Sequence, residues 1–538
     1  MKNVLRYIPL YKTEIIFATL AGLIIACGYA LSKNSLIDIT PLSPYTTLPY
    51  ILAAIVISVL LFILLLSLKQ LISNKKHSIK ETILPDYSDR KLWLVISVII
   101  FCFYLPVIVF GVSVATPDSW NSISQITGGS ALSGAHPIIF TLFLGFFIKV
   151  GLIFDSLQLG LILFSIAQST VIAIIFARVI VWMRAQGLGK WPILATLAFY
   201  AVLPVNAVAG IIIWKDVLFA GFGLLLLMSL RDIYVNKGEF NSKKSIALFV
   251  IFAFLFCVWR NNGLYVYILF AALAVVLHYR LLFKKTTLIA ILAAPIILAF
   301  VYTGVTSVVT SNTTSTAESL SVPLQQIARV VKYHGDTLSD TEKRAIDEIL
   351  PYDKLSSLYN PSLSDPVKSS FDVEVFKINK AKYVKLWLRL LIDYPRTFVL
   401  SFVYNFYGYL YPFYESSTTT DILMDNEIHF NAPPDYKDTP QVLGYKSILS
   451  KYKDILMSAV PLLNNIGFYV CIVILCLYVA IIRRKKELIG VFIVLAGLFI
   501  TTILGPVNSE FRYLYLFVVA TPFLVSSVYI PNISKRRS

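Results

Sequence analysis

Apolar runs of about 20 residues follow one another along nearly the whole of this chain, which leaves few folds open. Such a run crosses the hydrocarbon of a bilayer as a helix, because in lipid each backbone group must find its partner within the segment. The runs fall at 13–31, 50–68, 92–113, 158–181, 190–207, 210–230, 245–259, 263–278, 286–304, 460–482, 488–504 and 511–530. Charged residues are 14% of the chain, against about 25% in soluble domains. The short alternating segments of a β-barrel are absent from the sequence. The sequence therefore predicts an all-α polytopic membrane protein with about twelve transmembrane helices.

Charge then orients it. The formal charge is +17, which invites a nucleic-acid reading, yet residues 308–455 hold 16 Lys+Arg against 18 Asp+Glu. The excess lies in short connections beside the apolar runs, so it reports topology and implies no nucleic-acid partner. Alternate connections carry 26 Lys and Arg, while the short outer connections hold only Lys33, Lys215, Arg260 and Arg512. The expectation is a multi-pass cell-membrane protein with both termini cytoplasmic and an uncleaved first helix. The five cysteines all fall in apolar runs, without metal-ligand spacing.

Three regions follow. Residues 1–307 form an N-terminal transmembrane module with a first large outer loop at 114–157; 308–455 form a small helical extracytoplasmic insertion; 456–538 form a C-terminal transmembrane module. The stretch from His136 to Asp155 is apolar enough to cross, but crossing would place Arg184 and Lys190 outside. It reads as an outer juxtamembrane helix, and residues 385–412 read the same way. Within the insertion, Leu324, Ile327, Ala328 and Val331 share one helical face. Asp340 reads as the N-cap of the next helix, with Lys343 where a capping box wants Glu. Loops are expected at 351–366 and 431–440, and Asn312 starts a glycosylation sequon.

Ionisable residues at membrane depth are expensive, so those at the outer ends of the spans are the candidates for chemistry. The loop holds Asp118, Trp120, Asn121, Gln125 and His136, with no Lys or Arg before Lys149. Asp118 reads either as a reacting carboxylate or as a helix N-cap, and His136-Pro137 as a site or as a helix start. Lys215 and Asp216 lie near the outer end of the sixth span and either serve a site or neutralise one another. Arg260 and Asn261 form a tight outer turn, and Glu510, Arg512 and Tyr513 open the last span. Glu510 and Arg512, two apart, would face different sides of a helix. No P-loop, G-x-G-x-x-G, G-x-S-x-G or H-E-x-x-H motif is present.

Taken in order, these residues resemble a membrane glycosyltransferase of the GT-C superfamily, whose relatives include protein O-mannosyltransferases and bacterial aminoarabinose transferases. Asp118 matches the acidic position of the first outer loop, HPIIFTLFLGFFIKVGLIF the interfacial helix and LILFSIAQSTVIAIIFARVIVWMR the span after it. FRYLYLFVVATPFL resembles the Arg-Tyr…Pro segment of the final spans. SVPLQQIARVV (with Gln325), SDPVK and YGYLYP are similar to an uncharacterised Gram-positive branch. The chain departs from the pattern in having His136-Pro137 for a double proline, Ser119-Trp120 for a second acid, and two extra leading spans.

The resemblance implies a polyprenyl-phosphate sugar donor and an extracytoplasmic acceptor: a wall polymer, teichoic acid, glycolipid or protein. It implies Asp118 as general base, inversion at the anomeric carbon, and Arg512 with Lys215 or Arg260 on the departing phosphate. Asp216 would orient Lys215, or bind sugar or a divalent cation; no cofactor is assigned. Trp120, Asn121, Gln125, His136, Asn261, Gln325, Glu510 and Tyr513 complete the substrate-binding set. The rival reading is a transporter or flippase, against which the sequence offers neither repeats nor evident Gly/Pro-broken helices.

Overall fold

The computed structural model describes residues 11–33, 44–74, 88–111, 116–134, 136–236, 240, 242–278, 289–310, 316–414, 461–505 and 507–530. Several expectations lie outside the described residues: the sequon at Asn312, the loop at 431–440, and the basic residues Lys2, Arg6, Lys75, Lys76, Lys80, Lys237, Arg280, Lys284, Lys285 and Lys535 to Arg537.

The described residues form helices and no strand. The N-terminal helices are α1 (Lys12–Lys33), α2 (Pro44–Asn74), α3 (Asp89–Gly111), α4 (Pro117–Thr127), α5 (Ile138–Leu152) and α6 (Leu157–Ala185). They are followed by α7 (Lys190–Val202), α8 (Pro204–Ile211), α9 (Lys215–Val235), α10 (Lys243–Trp259), α11 (Asn261–His278) and α12 (Ala294–Val309). The insertion contributes α13 (Ser321–His334), α14 (Asp340–Asp347), α15 (Lys380–Asp393) and α16 (Pro395–Phe406). The chain ends in α17 (Ile466–Ile482), α18 (Ile489–Ile503) and α19 (Tyr515–Tyr529).

Among the described residues, seven helical segments are long and apolar enough to cross a membrane, or eight if α7 and α8 count as one bent span. This is a multi-pass membrane protein. α10, α11, α12 and α17 occupy further expected spans and are apolar, with fewer than 18 residues of that quality or an interruption. The runs at 190–207 and 210–230 are also divided differently. Pro204 takes the first position of α8 after an extended Leu203, the chain bends by 43°, and the next helix begins only at Lys215. A proline-broken helix is therefore present where the sequence showed none plainly.

Where α8 ends, the carbonyls of residues 209–212 are met from α6. Gln168 Nε2 lies 3.0, 3.2 and 2.6 Å from the oxygens of Ala209, Gly210 and Ile212, and Ser165 Oγ lies 3.3 Å from that of Ile211. Non-helical backbone at membrane depth needs such partners. Both side chains are buried.

α5 has 15 residues and packs between α4 and α6. The α5–α6 approach is close enough that a Cβ on Gly151 would sit 2.3 Å from the Gly160 nitrogen. Only glycine permits that contact.

The insertion has its own core. Leu324, Ile327, Ala328 and Val331 are buried in it, on the face the spacing predicted. Two local expectations are corrected. Ser339, not Asp340, caps α14, and Glu342 closes a full capping box at 2.9 Å from the Ser339 nitrogen. Residues 385–412 are not one helix, because Pro395 restarts the chain after Tyr394. The insertion docks on the loop before α19: Asn508 N donates to Ser362 O at 2.9 Å and Tyr409 OH to Val507 O at 3.0 Å.

Candidate functional site

Helix α4 starts at Thr116, which caps it jointly with Ser119, and ends on Gly128 at φ 84. Asp118 is therefore not the N-cap; it sits in the first turn, where a negative charge suits the helix dipole. That turn is pinned to the segment before α9. Trp214 Nε1 donates to Thr116 Oγ1 at 3.0 Å, and Ser119 Oγ donates to Ile213 O at 2.7 Å. These bonds hold Asp118 beside the first residue of α9.

Around Asp118 four separate segments converge. Arg512 Nη1 donates to Asp118 Oδ2 at 2.9 Å, and Lys215 Nζ stands 3.9 Å from the same oxygen. Lys215 Nζ is 2.9 Å from His136 Nδ1. Arg512 Nε lies 3.3 Å from Glu510 Oε1, so one guanidinium serves two carboxylates. Arg260 Nε pairs with Asp216 Oδ1 at 3.1 Å and its Nη1 donates to Tyr513 O at 3.0 Å. Arg512 also lies over the Trp214 ring and Arg260 over the Tyr513 ring. The Asp118 side chain keeps 40% of its exposure, whereas Asp216 keeps 2% and Glu510 8%. Asp118 is the accessible carboxylate of the three.

Two pairings differ from the sequence reading. Lys215 and Asp216 do not neutralise one another: adjacent residues diverge on a helix, and each finds a partner on another segment. Glu510 and Arg512 do pair, because Glu510 is extended and Arg512 lies in a tight 3₁₀ turn rather than an α-helix.

The charges set the protonation states. Burial raises the proton affinity of Asp118, but Arg512, Lys215 and His136 outweigh it and hold the carboxyl well below the usual carboxylate range. Burial, reinforced by Lys215, pushes His136 down to about 4. A neutral imidazole accepting at Nδ1 from the Lys215 ammonium carries its proton on Nε2. Burial raises Glu510, with Arg512 opposing and Asp216 and Asp118 adding to the rise.

A pH prediction follows for stability. Between the ordinary histidine value of 6.5 and about 4, the unfolded chain binds a proton at His136 that the folded chain refuses. The His136 contribution is whole above about pH 6.5 and drains away as pH falls through that window. Melting temperatures in detergent should fall over this interval in the wild type and fall less steeply in His136→Asn.

The other expected residues are placed as follows. Trp120 is buried in the main core, Asn121 is exposed, and Gln125 Oε1 accepts from Ser133 N at 3.1 Å. Asn261 starts α11 at the surface beside Arg260. Gln325 is not in the cluster: its Nε2 donates to Asn360 O at 2.8 Å inside the insertion. Thr116, Ser119 and Tyr409, which accepts from Glu510 N at 3.0 Å, were not foreseen. The signal for Thr116 and Ser119 was a T-P-x-S helix start, and for Tyr409 its place in YGYLYP.

Among the described residues no group of three or more His, Cys, Asp and Glu is placed to hold a metal ion. Each cluster carboxylate faces a cation instead, so the donor set does not suit a divalent ion.

No curated protein and no solved structure matches the chain. The sequence pattern of one protein family matches residues 126–536, a stretch that includes His136, Lys215, Asp216, Arg260, Glu510 and Arg512 and begins just after Asp118. Because that match covers most of the sequence, the chain belongs to DUF6020, a family of unknown function.

Proposed function

We propose that the protein is a membrane glycosyltransferase that moves a sugar from a polyprenyl-phosphate donor to an extracytoplasmic acceptor, with inversion. The observation that carries this reading is the convergence of an accessible Asp118 with Arg512 and Lys215 at one end of the helices. The distribution of Lys and Arg supports twelve passages, cytoplasmic termini and an outward-facing cluster, with α5 and the α15–α16 pair at the outer interface.

In the mechanism, the donor phosphate competes with Asp118 for Arg512 and Lys215. Its arrival weakens the hold of those cations on the carboxylate, and the proton affinity of Asp118 rises when it is needed. Asp118 then takes the proton of the acceptor hydroxyl. The acceptor oxygen bonds to the anomeric carbon as the carbon–oxygen bond to phosphate breaks, and the electron pair leaves on the lipid phosphate. Arg512 and Lys215 offset the charge that develops there. Glu510 and the Asp216–Arg260 pair act as positioning residues. The insertion docked before α19 covers the site and selects the acceptor.

The broken α7–α8 pair is the feature that favours a transporter or flippase instead. One experiment separates the two. Purified full-length protein in liposomes receives radiolabelled polyprenyl-phosphate sugars and an envelope acceptor fraction. Transferase activity moves label into the acceptor through a new glycosidic bond. Movement of label across the bilayer without that bond supports transport and sinks the transferase reading. A cysteine placed at exposed Asn121 should react with an impermeant maleimide added outside intact cells, and a cytoplasmic location would reverse the orientation.

A further inference from the structure

We propose a second ligand site, a lateral groove at the opposite end of α9 that binds one anionic phospholipid. Lys215 and Asp232 lie 17 residues apart on α9, which places the two sites about 25 Å from each other along the helix axis. The groove lies between α3, α6, α9 and α10 and encloses about 670 Å³, within the range of about 300–1,000 Å³ usual for small-ligand sites.

Its two ends differ in chemistry. Toward mid-helix the walls are apolar, with Ile174, Phe222, Leu225 and Phe252. Toward the helix ends the rim carries Arg178, Lys244 and Asp232, and the Trp93 and Trp182 rings also line the groove. Trp93 is fixed by donation from Nε1 to Ile174 O at 2.8 Å. The rim carboxylate is already compensated: Asp232 pairs with Arg231 at 3.2 Å, and Arg231 lies against the Trp182 ring. Arg178 and Lys244, both exposed, then leave the rim net positive.

An apolar slot beneath a positive rim matches acyl chains below a phosphate. A neutral lipid would fill the slot and leave the rim charge unanswered. A soluble anion would meet the rim and leave the slot empty. The occupant that satisfies both is an anionic phospholipid of the leaflet on that side. The site is independent of the transfer reading and shares no residue with it.

The test uses full-length protein in phosphatidylcholine nanodiscs that contain the same minor fraction of chain-brominated phosphatidylglycerol or chain-brominated phosphatidylcholine. Both leaflets carry the probe, so orientation does not enter. Two rim cations imply a preference of about 10- to 30-fold for the anionic lipid. Tryptophan emission should therefore be quenched more strongly by brominated phosphatidylglycerol. The excess should vanish in the Arg178→Gln/Lys244→Gln variant and persist in Arg178→Lys/Lys244→Arg. Leu225→Trp, which fills the slot and leaves both cations, should lose the excess as well. Equal quenching by the two lipids in the wild type overturns the site, as does an excess that survives in either the double-glutamine or the Leu225→Trp protein.

Discussion

Replacing Asp118 by Asn should lower sugar transfer by about 10²–10⁴-fold or more, since the change removes the proton acceptor and little else. The amide keeps the size of the side chain and its place in the first turn of α4. Stability should move by no more than about 1 kcal/mol, because the carboxylate is 40% exposed and its ion pairs are partly solvated. Donor affinity should be undiminished, for Arg512 and Lys215 lose the anion that competes with the donor phosphate. Rate and lipid binding measured on one preparation separate the two effects. A variant that turns over at the wild-type rate removes Asp118 from the chemistry.

Arg512→Gln should be the most destabilising single change in the cluster. Arg512 holds Asp118 through Nη1 and Glu510 through Nε, and Glu510 is 8% exposed. Without the guanidinium a buried carboxylate loses its cation, a loss of about 3–5 kcal/mol in comparable cases. Arg512→Lys should recover little, because a compact ammonium cannot hydrogen-bond Asp118 and stand beside Glu510 at once as the broad guanidinium does. The added change Glu510→Gln should restore much of the stability and none of the transfer. Thermal unfolding in detergent reads the first effect and the liposome assay the second. If the double variant is no more stable than Arg512→Gln alone, the burial of Glu510 is not the source of the loss.

Much of this arrangement was legible in the residues. Ionisable side chains at the ends of apolar runs are few, and Asp118, His136, Lys215, Asp216, Arg260, Glu510 and Arg512 all meet in one cluster. Which cation meets which carboxylate was not legible. That depends on the angle between neighbouring residues on α9 and on a 3₁₀ turn at Phe511–Leu514, and neither leaves a periodic mark. Gln325 was misplaced because its segment was matched by likeness, while its amide is spent on the insertion's own Asn360 carbonyl. The capping box of Ser339 and Glu342 and the stop at Pro395 were both readable, and the first was misread by one position. Apolar content does not report where a helix breaks, as at Leu203 and Pro204.

The bond set of Gln168 has a consequence for how such a protein can be altered. Lys215 begins its helix on backbone that is held just ahead of it by the Gln168 amide on α6 and by Ser119 on α4. Transplanting α9 alone into another scaffold would therefore carry the lysine without its address. Any redesign of this corner has to move α4, α6 and α9 as one inherited part.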